Sequence, residues 1–386
     1  MKFGVFLLLA VFAVTPAQAQ GWFRRRPSPT PLPTVVPRPV APPKPTPVPT
    51  PRLPPRQLVA LPVYDEETSV RLQIFLDNNE FGPGKIDGKI GEFFGKALVA
   101  YKKAHGMEPG GAVDAQLLAQ VPEAYTSYTI RPEDEKFVGA VASKPSQQAK
   151  LKAMLYGSHL EFVAERFHAS EDFLRKLNPG MDLEQLKVGD AVKVPNVQPF
   201  EVEKLSEHFI PRNPALAARQ IFIDIRENFL EVREGDKLVA EFPITPGSKT
   251  LPAPQGIWKI LGIAVLPWFR HDEGMLMHGV RTSNFYNIPP GPNNPVGILW
   301  MGLNKPGIGI HGTNNPETIG RAGSHGCIRM ANWDAVRIKD LVTVGTKVTI
   351  YVGGSANDPG VENQTSVTPS EQVAPDAAKA ATGPAR

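Results

Sequence analysis

Arg219-Gln220-Ile221-Phe222-Ile223-Asp224-Ile225 and, further along, Leu238-Val239-Ala240-Glu241-Phe242 decide the fold class of the last third of this 386-residue chain. Ile221, Ile223 and Ile225 alternate with polar or mixed positions, a period of two that lines one face of a strand. Arg233-Glu234-Gly235-Asp236-Lys237 makes a turn and the second run returns, so the segment reads as a β-hairpin. Strand-like runs follow at 256–260, 298–302, 308–311 and 347–352, with one helical pattern over 332–341. A mainly β domain over 219–352 is the expectation.

Upstream the patterning changes. Residues 125–197 read as strand, helix, helix, strand: Ser127-Tyr128-Thr129-Ile130, a helical stretch around 160–167, a second from Phe173 to Leu177, and Ala191-Val192-Lys193-Val194-Pro195-Asn196. An insertion at 137–152 separates the first strand from the first helix. Residues 66–122 carry apolar positions at helical spacing, Val70, Leu72, Ile74, Phe75 and Leu76 and then Phe93, Phe94, Ala97, Leu98 and Tyr101, around a turn at Gly82-Pro83-Gly84-Lys85-Ile86-Asp87-Gly88. Asp87-Gly88 lacks the regular series of oxygen ligands that a calcium loop requires.

The ends read differently again. Forty-one prolines are about twice the ordinary share, and they crowd into 27–55. Residues 20–64 are therefore a proline-rich linker, readable as a spacer or as a passive tail. Lys2, an apolar run over 3–14 and Ala17-Gln18-Ala19 have the form of a cleavable signal peptide over 1–19. Export to the periplasm or cell envelope is expected. Residues 353–386 are rich in small and polar residues and read as disordered.

With 42 basic and 38 acidic residues the net charge is only +4, and no basic helix or aromatic RNA-binding pattern accompanies it, which argues against nucleic acid. Arg24-Arg25-Arg26 reads either as a contact for an anionic surface or as a solvated triplet. The single cysteine, Cys327, excludes an intramolecular disulfide. It reads either as an inert buried residue or as a nucleophile.

Cys327 lies in Ser324-His325-Gly326-Cys327-Ile328-Arg329-Met330, with His311 sixteen residues earlier. A thiol of ordinary pKa near 8.5 is only a few per cent ionised at neutral pH, so it needs an imidazole or backbone donors to act. On spacing, His325 is the nearer base. Amides around Gly326 and Cys327 are candidates for an oxyanion hole. Arg329 reads as a structural ion-pair partner or as a hold on a substrate carboxylate. His271, His278, His311, His325 and Cys327 supply zinc-ligating residue types, but His271-Asp272-Glu273-Gly274 is not a His-Glu-x-x-His helix.

His311-Gly312-Thr313-Asn314-Asn315-Pro316, Ile319-Gly320 and Ser324-His325-Gly326-Cys327-Ile328-Arg329-Met330, with Pro254-Gln255-Gly256-Ile257-Trp258 and the 289–297 run Pro-Pro-Gly-Pro-Asn-Asn-Pro-Val-Gly, resemble the signature of L,D-transpeptidases with a YkuD-type catalytic domain. Leu72-Gln73, Ile86-Asp87-Gly88, the 97–101 run Ala-Leu-Val-Ala-Tyr and Gly111-Ala112-Val113-Asp114 resemble a peptidoglycan-binding helical module, and 125–197 resembles a LysM module. The resemblance implies a multidomain chain: a β-sandwich or barrel-like catalytic domain preceded by a small helical module and a small α+β module.

The resemblance also implies the roles. Cys327 is the nucleophile and His311 its base, oriented by the carbonyl of Gly312, while His325, Gly326 and Ser324 support the site. The substrate is a peptidoglycan stem peptide on a glycan strand; D-alanine leaves, and the acyl group passes from a Cys327 thioester to an amine, giving 3-3 cross-links. A lysine of an envelope lipoprotein, or water, is the alternative acceptor. A carbapenem-type ring is an expected inhibitor, and no cofactor or metal is required.

Overall fold

A computed structural model describes residues 63–108, 115–248, 251–321, 323 and 326–353. The proposed signal segment, almost all of the proline-rich linker, the Gly111 to Asp114 motif, Ser324, His325 and the tail from 354 lie outside the described residues. No helix among the described residues is long and apolar enough to cross a membrane.

The first segment contains α1 (Glu66–Asn78), α2 (Glu92–Ala104) and α3 (Ala115–Ala119). Asp65 caps α1 by accepting from the Thr68 amide at 2.7 Å. The second begins with β1 (Tyr125–Thr129), passes a short α4 (Pro145–Gln148), then α5 (His159–Arg166) and α6 (Glu171–Leu177), and ends in β2 (Ala191–Pro195), antiparallel to β1. Ser158 and Ser170 cap α5 and α6, which fixes where each starts.

The third segment is mainly β, as the residues led us to expect. Its elements are β3 (His208–Phe209), β4 (Arg219–Asp224), β5 (Phe229–Glu234), β6 (Lys237–Pro243), β7 (Thr245–Pro246), β8 (Gly256–Val265), β9 (Phe269–His271), α7 (Glu273–His278), β10 (Tyr286–Ile288), β11 (Leu299–Leu303), β12 (Gly309–His311), β13 (Ile328–Arg329), α8 (Asn332–Leu341) and β14 (Lys347–Tyr351). Ten strands form one sheet in the order β6-β5-β4-β14-β8-β11-β12-β13-β7, with β3 paired to β8. β8 hands the sheet over: residues 256–259 pair with β14, and residues 260–265 pair with β11.

The expected hairpin is a three-stranded meander instead. The turn at Gly235 joins β5 to β6, and a second, longer turn over 225–228 with Asn228 at positive φ joins β4 to β5. Asparagine tolerates that conformation, but no glycine marked the turn in the sequence.

One hydrophobic core runs through all three segments, from Leu72 and Phe75 through Phe162 and Val192 to Trp258, Ile310 and Ile350. A buried polar node crosses them too. Asp77 of α1 accepts from Arg337 of α8 at 2.6 Å and from His168, which follows α5, at 3.0 Å. His168 stacks on Trp333 with ring centroids 5.3 Å apart. Although its burial opposes ionisation, the Asp77 carboxyl is held well below its ordinary pKa by Arg337 and His168.

Candidate active site

β12 and β13 run parallel, with Ile310 opposite Ile328 and His311 opposite Arg329. Ile310 and Ile328 are buried on one face, so His311 and Arg329 project from the other. Cys327 immediately precedes β13, and the same alternation returns its side chain to the His311 side. A single pair of strands thus gathers the thiol, imidazole and guanidinium.

Each group is held by backbone. The His311 Nδ1–H donates to the Gly312 carbonyl at 2.6 Å. A carbonyl only accepts, so the proton sits on Nδ1 and Nε2 keeps its lone pair. The indole of Trp300, the cross-strand partner of His311, stacks on the ring. A Cβ at Gly309 would stand 2.7 Å from that indole, so glycine makes room for it. The Cys327 Sγ donates to the Gly307 carbonyl at 3.3 Å, and Gly326 just before it has φ +97°. That conformation suits glycine and turns the chain into the nucleophile.

Burial sets the protonation states. It lowers the His311 pKa to about 4, assisted by the positive charge of Arg329 and opposed by the Gly312 hydrogen bond. It raises the Cys327 thiol to about 11 against the backbone of Gly309, for although the residue is partly exposed its sulfur is desolvated. The resting pair at neutral pH is therefore neutral thiol and neutral imidazole.

The sequence left Arg329 between two roles. Its Nη2 donates to Gly323 at 3.4 Å, bracing the loop before the nucleophile, and its charge disfavours protonation of His311. The Gly312 carbonyl accepts from His311, and Gly326 adjoins the thiol. Trp300, Gly307 and Gly309 were missed; only the β11–β12 register brings them to the site, and no motif carries that register.

Residues 218–350 match the family model of the L,D-transpeptidase catalytic domain. A putative L,D-transpeptidase YkuD of Bacillus licheniformis is 30% identical over 194 residues, which cover 50% of this chain and 94% of that protein. The chain belongs to the L,D-transpeptidase family. A probable L,D-transpeptidase ErfK/SrfK of Salmonella typhimurium is 43% identical over 242 residues, 58% of this L,D-transpeptidase and 67% of the relative. Among solved structures, the catalytic domain of the E. faecium L,D-transpeptidase aligns at 20% identity and TM-score 0.26, covering 35% of this chain and 98% of that one.

Proposed function

We propose that this L,D-transpeptidase acts on peptidoglycan stem peptides through a Cys327 thioester. The observation that carries the reading is the tautomer of His311: with Nδ1–H tied to Gly312, Nε2 is the nitrogen left to take a proton, on the strand paired with the one that Cys327 leads into.

Because both groups rest neutral, proton transfer accompanies attack. The Sγ–H proton moves to His311 Nε2 as sulfur bonds the carbonyl carbon joining the third stem residue to D-alanine. The C–N bond then breaks, the proton passes to the leaving amine, and D-alanine departs. In the second half an acceptor amine attacks the thioester, His311 takes its proton, and the C–S bond breaks to restore the thiol. A second stem peptide as acceptor gives a 3-3 cross-link, the reading we favour over a lipoprotein lysine or water.

Arg329 and the amides near Gly326 are the groups to receive the substrate carboxylate and the developing oxyanion. His325 and Ser324, which lie outside the described residues, are assigned supporting roles on the motif alone. The helical and LysM-like segments hold the enzyme on the wall, and the proposed signal segment delivers it to the periplasm or envelope. Three helices in the first segment and, in the second, two antiparallel strands that flank α5 and α6, with the short α4 in the insertion, support the wall-binding reading.

Incubation with disaccharide-tetrapeptide, followed by mass spectrometry of the products, tests the proposal. Wild type should release D-alanine and form dimers, whereas Cys327→Ala and His311→Ala should not. A carbapenem should add its mass to wild type and not to Cys327→Ala. Undiminished D-alanine release by Cys327→Ala would overturn the reading.

A further inference from the structure

The residue that holds the base holder lies beyond the motif. Asn332, the first residue of α8, is fully buried. Its Oδ1 accepts from the Ile298 amide at 3.1 Å. Its Nδ2 donates to the Pro292 carbonyl at 3.2 Å and to Glu165 Oε1 at 2.9 Å. With carbonyl and amide ends both used, the side chain has one orientation.

That side chain is a wedge under the base. A Cβ at Gly312 would lie 2.2 Å from Asn332 Oδ1, and one at Gly297 only 2.1 Å from it. Two glycines therefore let the amide reach the backbone that carries the His311 hydrogen-bond acceptor. Gly297 also takes a left-handed φ of +60°, and a Cβ at either position would crowd neighbouring backbone as well.

Glu165 belongs to α5, in the second segment. It accepts from Tyr156 Oη–H and from Asn332, so its carboxyl is positioned from both sides. The same segment clamps the loop containing Pro292: Met154 donates to Pro290 at 2.8 Å and accepts from Asn293 at 3.0 Å, and Asn293 Nδ2 donates to Leu155 at 2.9 Å. Glu165 lies outside the 218–350 family match.

We infer that Asn332, braced by Glu165, is a positioning residue for the His311 imidazole, so that the second segment helps to hold the base. The inference rests on His311 being that base. Its physical content is rigidity: an amide locked at both ends fixes the Gly312 carbonyl, and with it the ring direction. Misplacing a catalytic group by about 1 Å costs on the order of 100-fold in rate.

The test uses the full chain, with D-alanine release from disaccharide-tetrapeptide and the NMR resonance of the His311 Nδ1 proton as readouts. Asn332→Ala should lower kcat roughly 10- to 100-fold with KM changed less than about 3-fold, and should shift or broaden that resonance. Glu165→Ala should move both readouts in the same direction, and Glu165→Gln, which keeps an acceptor for Asn332, should restore them. Val192→Ala, in the core of the second segment, supplies comparable destabilisation and should leave kcat and the resonance unchanged. If Asn332→Ala does not fold, the contrast between Glu165→Ala and Glu165→Gln decides. Normal kcat and an unmoved resonance in Asn332→Ala, or in Glu165→Ala where only that folds, would overturn the inference. Full activity in His311→Ala would instead overturn the assignment of the base.

Discussion

The indole of Trp300 lies over the imidazole of His311, ring centroids 5.6 Å apart and planes inclined by 26°. The stack covers the face of an imidazole that one backbone carbonyl already orients. It contributes to the burial that keeps the ring neutral, and that has a kinetic consequence.

Trp300→Ala should admit water to the imidazole and raise its pKa from about 4 toward its ordinary 6.5. A protonated ring cannot take the thiol proton, so the acidic limb of the kcat/KM profile should move up by roughly 1 to 2 pH units. A profile over pH 4 to 8 checks it; an unmoved limb would show that the indole contributes nothing to the dry environment.

His311 also links stability to pH. Its folded pKa lies below its unfolded value, so between 6.5 and about 4 the unfolded chain binds a proton that the folded chain refuses. The stabilisation is present above pH 6.5 and is lost as pH falls through that window, up to about 3 kcal/mol. Urea titrations at pH 7 and pH 4.5 should differ more for wild type than for His311→Gln.

Glu165 runs the other way. Burial raises its carboxyl to about 8, so the folded chain retains a proton that the unfolded chain loses near 4.5. Its contribution is fully present below pH 4.5 and is lost as pH rises through 8. Glu165→Gln, which cannot ionise, should lose less stability than wild type between pH 5 and pH 9, as read from the urea midpoint.

Gly326→Ala tests the turn into the nucleophile. Alanine at φ +97° is strained, and its Cβ would stand 3.3 Å from Ile308 Cδ1. We expect a stability loss of about 1 kcal/mol and a fall of at least 10-fold in the rate of carbapenem adduct formation on Cys327, followed by mass spectrometry. An unaltered acylation rate would remove Gly326 from the site.

Arg337→Met should be costly far from the thiol. It leaves the Asp77 carboxyl buried without its guanidinium and with the carboxyl groups of Glu80 and Asp334 close by, and removal of one member of a buried ion pair typically costs about 3 to 5 kcal/mol. A lowered urea midpoint with kcat retained at low denaturant is the expected pattern.

The residues revealed much of this in advance, for physical reasons. Ile221 and Ile223 sit on a strand that is buried at every second position, so their period was visible. α8 was bounded as read, from Asn332 to Leu341. Cys327 stood out because its motif is local, whereas spacing alone pointed to His325 as the base and only the family resemblance pointed to His311, sixteen residues away. Short β7 and β13 carry too few residues to show a period, and the flap of β9, α7 and β10 exposes much of its surface. Trp300 and Asn332 act through register and through contacts with Gly312, and Glu165 acts on a residue 167 positions away. No local pattern encodes such pairings.

The place of β14 has a consequence for timing. It lies between β4 and β8, with Val348 beside both Ile221 and Trp258. Without it the meander meets the strands that carry the thiol and imidazole only through the short β7–β13 pairing. Among the described residues β14 is the last strand in chain order, so the sheet closes only after all its other strands are made, through pairings that span more than 80 positions.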